Sequence, residues 1–205
     1  MLNLRVSTLL DSVSVRASSR GMQHAERLAA MLFVTALTAA AAQVSFPLPF
    51  TPVPFTLQPM IVLLGGAALG ARLGASSQVL YLVLGIAGLP VFAASPTLPA
   101  GIARLAGPTG GYLMSYPVAA LVAGCLAERG FDRRYSTAVV AMAAGLAIVF
   151  TSGILWLGIV VQPSIGIGGA LAAGLFPFIV ADALKLAAAA AALPAFWRLT
   201  GRRAR

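Results

Sequence analysis

From Ser136 to Trp197 the chain carries only two charged residues, Asp182 and Lys185. That stretch could not fold as a soluble core with a solvated surface, and it sets the class of the whole chain. A helix needs about 20 apolar residues to cross a bilayer, within a range of about 17–25. Six apolar runs approach that length: residues 28–46, 55–71, 73–92, 112–127, one within 136–161 and one within 169–197. The second and fourth are short and the last two are long, so local thinning beside a cavity and tilt are expected. Composition agrees, with 60% hydrophobic residues and only 9% charged. A soluble domain carries about 25% charged residues. The expected fold is an all-α membrane protein, a six-transmembrane-helix bundle with both termini cytoplasmic.

The arginines test that topology. With the N-terminus inside, the inner segments hold Arg5, Arg16, Arg20 and Arg27, then Arg72, then Arg129, Arg133 and Arg134, then Arg198, Arg202, Arg203 and Arg205. The outer segments hold Arg104 alone. Such a bias is the positive-inside pattern, and it requires an even number of spans. It also accounts for the net charge of +9 without a nucleic-acid partner. The chain divides into a basic, unstructured cytoplasmic tail at 1–26, a membrane domain at 27–197 and a short basic cytoplasmic tail at 198–205. The first tail is Ser- and Arg-rich like a transit peptide, and it lacks the apolar core of a secretory signal.

The inner and outer connections differ. Spans two and three are joined by the tight turn Gly70-Ala71-Arg72-Leu73-Gly74. Outside, Pro47-Leu48-Pro49-Phe50-Thr51-Pro52-Val53-Pro54 cannot be helical, because closely spaced prolines remove donors and push their predecessors to extended conformations. The other long outer connection, residues 93–111, has three prolines and four glycines. Loops of this kind are either plain connectors or functional lids, and their shared outer position points to capture of something from outside.

Asp182 and Lys185 lie three apart on one helix and share a face. A lone ion at the bilayer centre costs at least roughly 2.5–3.5 kcal/mol, and pairing reduces that cost. The two form either an ion pair that pins the last helix or a ligand site facing the bundle interior. Asp accepts and Lys donates, so together they suit a neutral ligand with both N–H donors and a carbonyl. Pro177 can bend the same helix and free a carbonyl nearby, or be a tolerated membrane proline. Arg104 suits bidentate carboxylate binding or a lipid headgroup.

Several chemistries are excluded. The only lysine is Lys185, so there is no phosphate loop of a P-loop ATPase. The only histidine, His24, lies in the tail, so no Ser/His/Asp or Cys/His set can form in the membrane. Cys125 stands alone, and with His24 it makes no metal site.

Four segments resemble signatures of the BioY family, the biotin-binding S components of energy-coupling-factor (ECF) transporters. They are Pro52-Val53-Pro54-Phe55-Thr56-Leu57-Gln58, Tyr81-Leu82-Val83-Leu84-Gly85-Ile86-Ala87-Gly88-Leu89-Pro90-Val91-Phe92, Gly107-Pro108-Thr109-Gly110-Gly111-Tyr112-Leu113, and Asp182 with Lys185. The resemblance runs from about residue 28 to residue 197. It implies biotin uptake across a bacterial cell (inner) membrane by a subunit that is not an enzyme. Biotin is then the transported substrate, with no cofactor and no metal. The implied partners are a transmembrane coupling protein, two ATPase subunits and the lipid bilayer. The implied substrate-binding residues are Asp182, Lys185, Arg104, Tyr112, Thr109, Gly110 and Gln58. Some members carry Arg directly after Gly-Gly-Tyr where this chain has Leu113, and Arg104 is the nearby replacement. The family also docks its coupling protein through small residues on the first helix. Ala36-x-x-x-Ala40 fits that spacing, although Thr38-x-x-x-Ala42 fits nearly as well and either pair could serve internal packing. The rival readings are an S component for another small vitamin and a membrane scaffold without a small ligand.

Overall fold

The computed structural model describes residues 8–14, 20–95 and 99–199. Among these, nine α-helices carry the fold: α1 Leu9–Ser14, α2 Arg20–Gln43, α3 Gln58–Leu69, α4 Ala71–Ile86, α5 Ala103–Ala106, α6 Gly110–Glu128, α7 Tyr135–Leu155, α8 Gly166–Gly174 and α9 Ile179–Leu199. Four helical stretches are long and apolar enough to cross a membrane: α2, α6, α9, and α7 with its continuation to Val161. The apolar helices α3 and α4 have 12 and 16 residues, about 18 and 24 Å at 1.5 Å per residue.

Several expected boundaries shift. Phe55 and Thr56 are not the start of the second helix. They form β2, which pairs antiparallel with β1, Ser45–Phe46, and so the all-helical expectation gains a small two-stranded ladder. The helix begins after them because Pro59 occupies its first turn, where the missing N–H costs nothing. α4 stops at Ile86 rather than Phe92, and Gly88 turns the chain at φ 93°. The fourth span is a full 19 residues and keeps Pro117 inside it. The last span is broken. A π-helical segment, Trp156–Val161, ends its predecessor, α8 follows, and residues 175–178 separate α8 from α9. Pro177 lies in that break. Residues 20–26, expected in the tail, are the opening turns of α2, and α1 packs on α2 and α3 with Thr8 and Leu9 buried. The remaining tail residues and 200–205 lie outside the described residues.

α6 sits centrally, against α3, α4 and α7. Small residues allow this closeness. A Cβ on Gly66 would run into the backbone of Ala120, and one on Gly124 into the Gly70–Ala71 peptide. Gly70 itself makes the tight turn at φ 84°, and Glu128 from α6 accepts from the first N–H of α4, at Ala71, which has no acceptor within the helix, at 2.9 Å. At this same end Trp197 of α9 donates to the fully buried Asp132 at 2.6 Å. The outward faces are apolar: Phe33, Val180 and Leu184 are exposed, as a lipid environment requires.

Candidate functional site

A cavity opens among side chains at the end of the bundle opposite Arg72 and Arg198. Its wall includes Gln58, Arg104, Thr109, Tyr112, Asp182 and Lys185, so six of the seven binding residues named from the sequence converge. The space open to water centres is about 50 Å³, room for a few waters. Most of the remaining wall is apolar, from Val53, Phe92, Leu113, Tyr116, Phe150 and Phe178 among others. Apolar walls with a few convergent polar groups are the usual make-up of a small-molecule site.

The last helix enters first. α9 turns Val180 and Leu184 outward, which aims Asp182 inward, where it is 5% exposed. Lys185 bonds the Asp182 carboxylate at 2.6 Å. Its Nζ also donates to the carbonyl of Thr56 at 2.6 Å and lies 3.5 Å over the Phe55 ring. Lys185 therefore ties the segment before α3 to the last helix as well as pairing with Asp182. Both the pinning and the site readings of the pair find support in this geometry.

Arg104 lies on the short helix α5 and is 5% exposed, so the headgroup reading fails. It donates from Nε to Pro99 O at 2.7 Å and from Nη2 to Ala93 O at 3.0 Å, which braces Ala93 and Pro99 beside the cavity. Burial pulls its guanidinium below the ordinary arginine value. Thr109 carries a buried hydroxyl with no hydrogen-bond partner among the described residues. Gly110 does not line the cavity. Its role is closeness, because a Cβ there would collide with the Leu105 carbonyl. Tyr112 reaches across to cap the Gly174 carbonyl at 2.9 Å, at the break in the last span. Thr51 caps Ala173 at 2.6 Å in the same place.

Residues not assigned from sequence also shape the site. Tyr81 is fully buried and accepts a hydrogen bond from Gln58. Tyr116 lies one turn beyond Tyr112 on the same face of α6, which its i+4 spacing could have revealed. Thr56 falls in the first signature segment and Phe92 in the second, and neither is among the binding residues that the resemblance implies.

Ala36 and Ala40 are exposed on α2. The internal face of that helix is Val34, Thr35, Thr38, Ala41 and Ala42. The two small-residue pairs thus separate: Thr38 and Ala42 pack inside, and Ala36 and Ala40 face out.

A sequence model of the BioY family matches residues 13–202. The chain belongs to the BioY family. A probable biotin transporter BioY from Pyrococcus horikoshii is 41% identical over 158 residues, 77% of this chain and 87% of that one. A biotin transporter BioY from Thermotoga maritima is 38% identical over 156 residues, 76% and 86% of the two chains. The fold is similar to that of the S-component for biotin from an ECF-type ABC transporter, solved at 2.1 Å. That match has a TM-score of 0.77 at 25% identity and covers 88% of this chain and 95% of the other. The cavity described above is therefore set in the S-component fold of a BioY protein.

Proposed function

We propose that this BioY protein binds biotin from the outer side of the cell membrane, in bacteria the inner membrane, as the substrate-binding subunit of an ECF transporter. It is a binding subunit and not an enzyme. The observation that carries the reading is the convergence of Asp182, Lys185 and Gln58 on one cavity with apolar walls. Biotin's cyclic urea offers two N–H groups and one carbonyl, which call for acceptors and a cationic donor. Arg104 supplies positive charge for the valeryl carboxylate, Tyr112 and Thr109 shape the wall, and Gly110 lets the chain pass close to Leu105. At about 50 Å³ the cavity is smaller than the roughly 300–1,000 Å³ of drug-sized ligand sites. The outer segments around Thr56 and around Phe92, Ala93 and Arg104 must therefore part to admit the ligand.

The relatives are biotin transporters by name, which favours biotin over another vitamin, and polar groups buried in an apolar cavity favour a ligand over a scaffold. The partners are a transmembrane coupling protein and two ATPase subunits, with Ala36 and Ala40 on the docking face. α3 and α4 complete six spans around a single membrane domain, with both termini in the cytoplasm. The arginine distribution supports that orientation, since Arg72, Arg133 and Arg198 flank the end opposite the cavity. Labelled-biotin uptake in a biotin-auxotrophic host tests the function. Uptake should require this chain, and no uptake with the chain and its partner subunits present would contradict the reading. A reporter fused at Ser95 should read external, and a cytoplasmic reading would overturn the orientation.

A further inference from the structure

Gln58 and Tyr81 belong to a hydrogen-bond chain whose direction is set at its far end. The carbonyl of Val91 can only accept, so the Tyr81 hydroxyl, 3.1 Å away, donates to it. That uses the hydroxyl's one proton. Toward Gln58 the Tyr81 oxygen can then only accept, and Gln58 donates to it from Nε2 at 2.5 Å. An amide's orientation is read from its network, and this network allows one choice. Turning the amide round would set two oxygen lone pairs against each other or strip Val91 of its donor. Gln58 is 3% exposed and lines the cavity, and its Oε1 has no hydrogen bond among the described residues.

We infer that Tyr81 is a positioning residue: it holds Gln58 so that the amide presents a carbonyl acceptor, and not an N–H donor, to the bound ligand. The inference rests on the biotin reading and sharpens it. Asp182 and Gln58 then supply two acceptors for the two urea N–H groups, and Lys185 supplies the donor for the urea carbonyl. A reversed amide would oppose donor to donor and leave both unpaired, which is strongly selective against the wrong partner. A ligand bearing a carbonyl or ether where biotin has that N–H would meet an acceptor and be refused. Tyr81 does not itself line the cavity. Its ring packs edge-on to Phe92 at 5.5 Å and stacked on Tyr116 at 6.4 Å, and Tyr81→Phe preserves both contacts.

The test is equilibrium binding to purified wild type, Tyr81→Phe, Gln58→Ala and the double variant. The ligands are biotin and its two analogues methylated on one or the other urea nitrogen. Each single variant should weaken biotin about tenfold, the loss of one good hydrogen bond. The double variant should bind no more weakly than Gln58→Ala, because Tyr81 acts through Gln58. One of the two analogues lacks the N–H that Gln58 receives, and for it all four proteins should agree within about twofold. A purely structural role for Tyr81 would weaken biotin and both analogues alike. Unchanged affinity in Tyr81→Phe, multiplying losses in the double variant, or equal sensitivity to both analogues would each overturn the assignment. If neither analogue binds wild type, the variant cycle with biotin decides. Failure of wild type to bind biotin would instead remove the functional reading itself, whereas normal wild-type binding with an insensitive Tyr81→Phe removes only this assignment.

Discussion

Lys185 and Thr56, 129 residues apart in sequence, meet at 2.6 Å through the lysine ammonium and the threonine carbonyl. The bond joins the last helix to the segment before α3, directly beside the Asp182–Lys185 pair. A residue expected to recognise ligand therefore also holds a wall of the cavity shut. The ammonium has three N–H donors, of which Asp182 and Thr56 take two.

Asp182→Ala, Lys185→Ala and the double variant separate a ligand site from a structural pair. A structural pair would make each single change severe and the double change mild, because no uncompensated ion remains. The account predicts that each single change costs about ten- to a hundredfold in biotin affinity, from lost charge-assisted bonds of roughly 1.5–3 kcal/mol. The double variant should bind no better than the weaker single one. Recovery of near-normal affinity in the double variant, with melting recorded alongside, would leave only the structural role.

Arg104 braces the carbonyls of Ala93 and Pro99, so Arg104→Ala should weaken every ligand of the cavity. If the guanidinium also meets the valeryl carboxylate, biotin should lose about tenfold more than biotin methyl ester, in keeping with a charge-assisted bond. Competition binding with both ligands checks this. Equal losses would confine Arg104 to bracing.

The two faces of α2 predict opposite outcomes for bulk. Ala36→Trp and Ala40→Trp should bind biotin within about twofold of wild type while losing co-purification with the coupling protein, since small residues permit close helix approach. Thr38→Trp, on the fully buried face, should lower yield and melting temperature through overpacking of roughly 1–3 kcal/mol. Normal co-purification by both alanine variants would place docking elsewhere.

Asp132 stands outside the spans and predicts a pH dependence. Burial pushes its carboxyl above the usual range, only partly opposed by the Trp197 N–H and by Arg133. A carboxyl raised in the folded state contributes stability below its unfolded value and loses it as pH rises through the folded one. Asp132→Asn keeps an acceptor for Trp197 without the buried charge. It should melt about 2–4 °C above wild type at pH 7 to 8, equivalent to about 1 kcal/mol for a chain of this size. The gap should close near pH 4. A variant less stable than wild type at neutral pH, measured by melting in detergent, would show that the charge itself stabilises the fold.

Much of the site could be read from residues alone because membranes make charge conspicuous. Asp182, Lys185 and Arg104 stand out among apolar neighbours, and their residue types limit the ligand chemistry. The signature segments then placed Gln58, Thr109 and Tyr112 beside them. What the sequence could not carry was non-local. Nothing near Tyr81 indicates that its hydroxyl meets Gln58 and Val91, and nothing near Arg104 indicates that it grips Ala93. Helices end short of the apolar runs where apolar character outlasts helix. Phe55 and Thr56 are apolar enough to extend a span, but the prolines before them favour extended backbone and Thr56 gives its carbonyl to Lys185. The broken last span was legible only as Pro177, while its π-helical approach from Trp156 left no pattern in the sequence.

The most direct test of the central claim is equilibrium binding of labelled biotin to the purified protein, with unlabelled biotin and other vitamins as competitors. The account predicts saturable binding displaced by biotin, with no displacement by vitamins that lack a cyclic urea. Absence of saturable binding, or equal displacement by an unrelated vitamin, would contradict it.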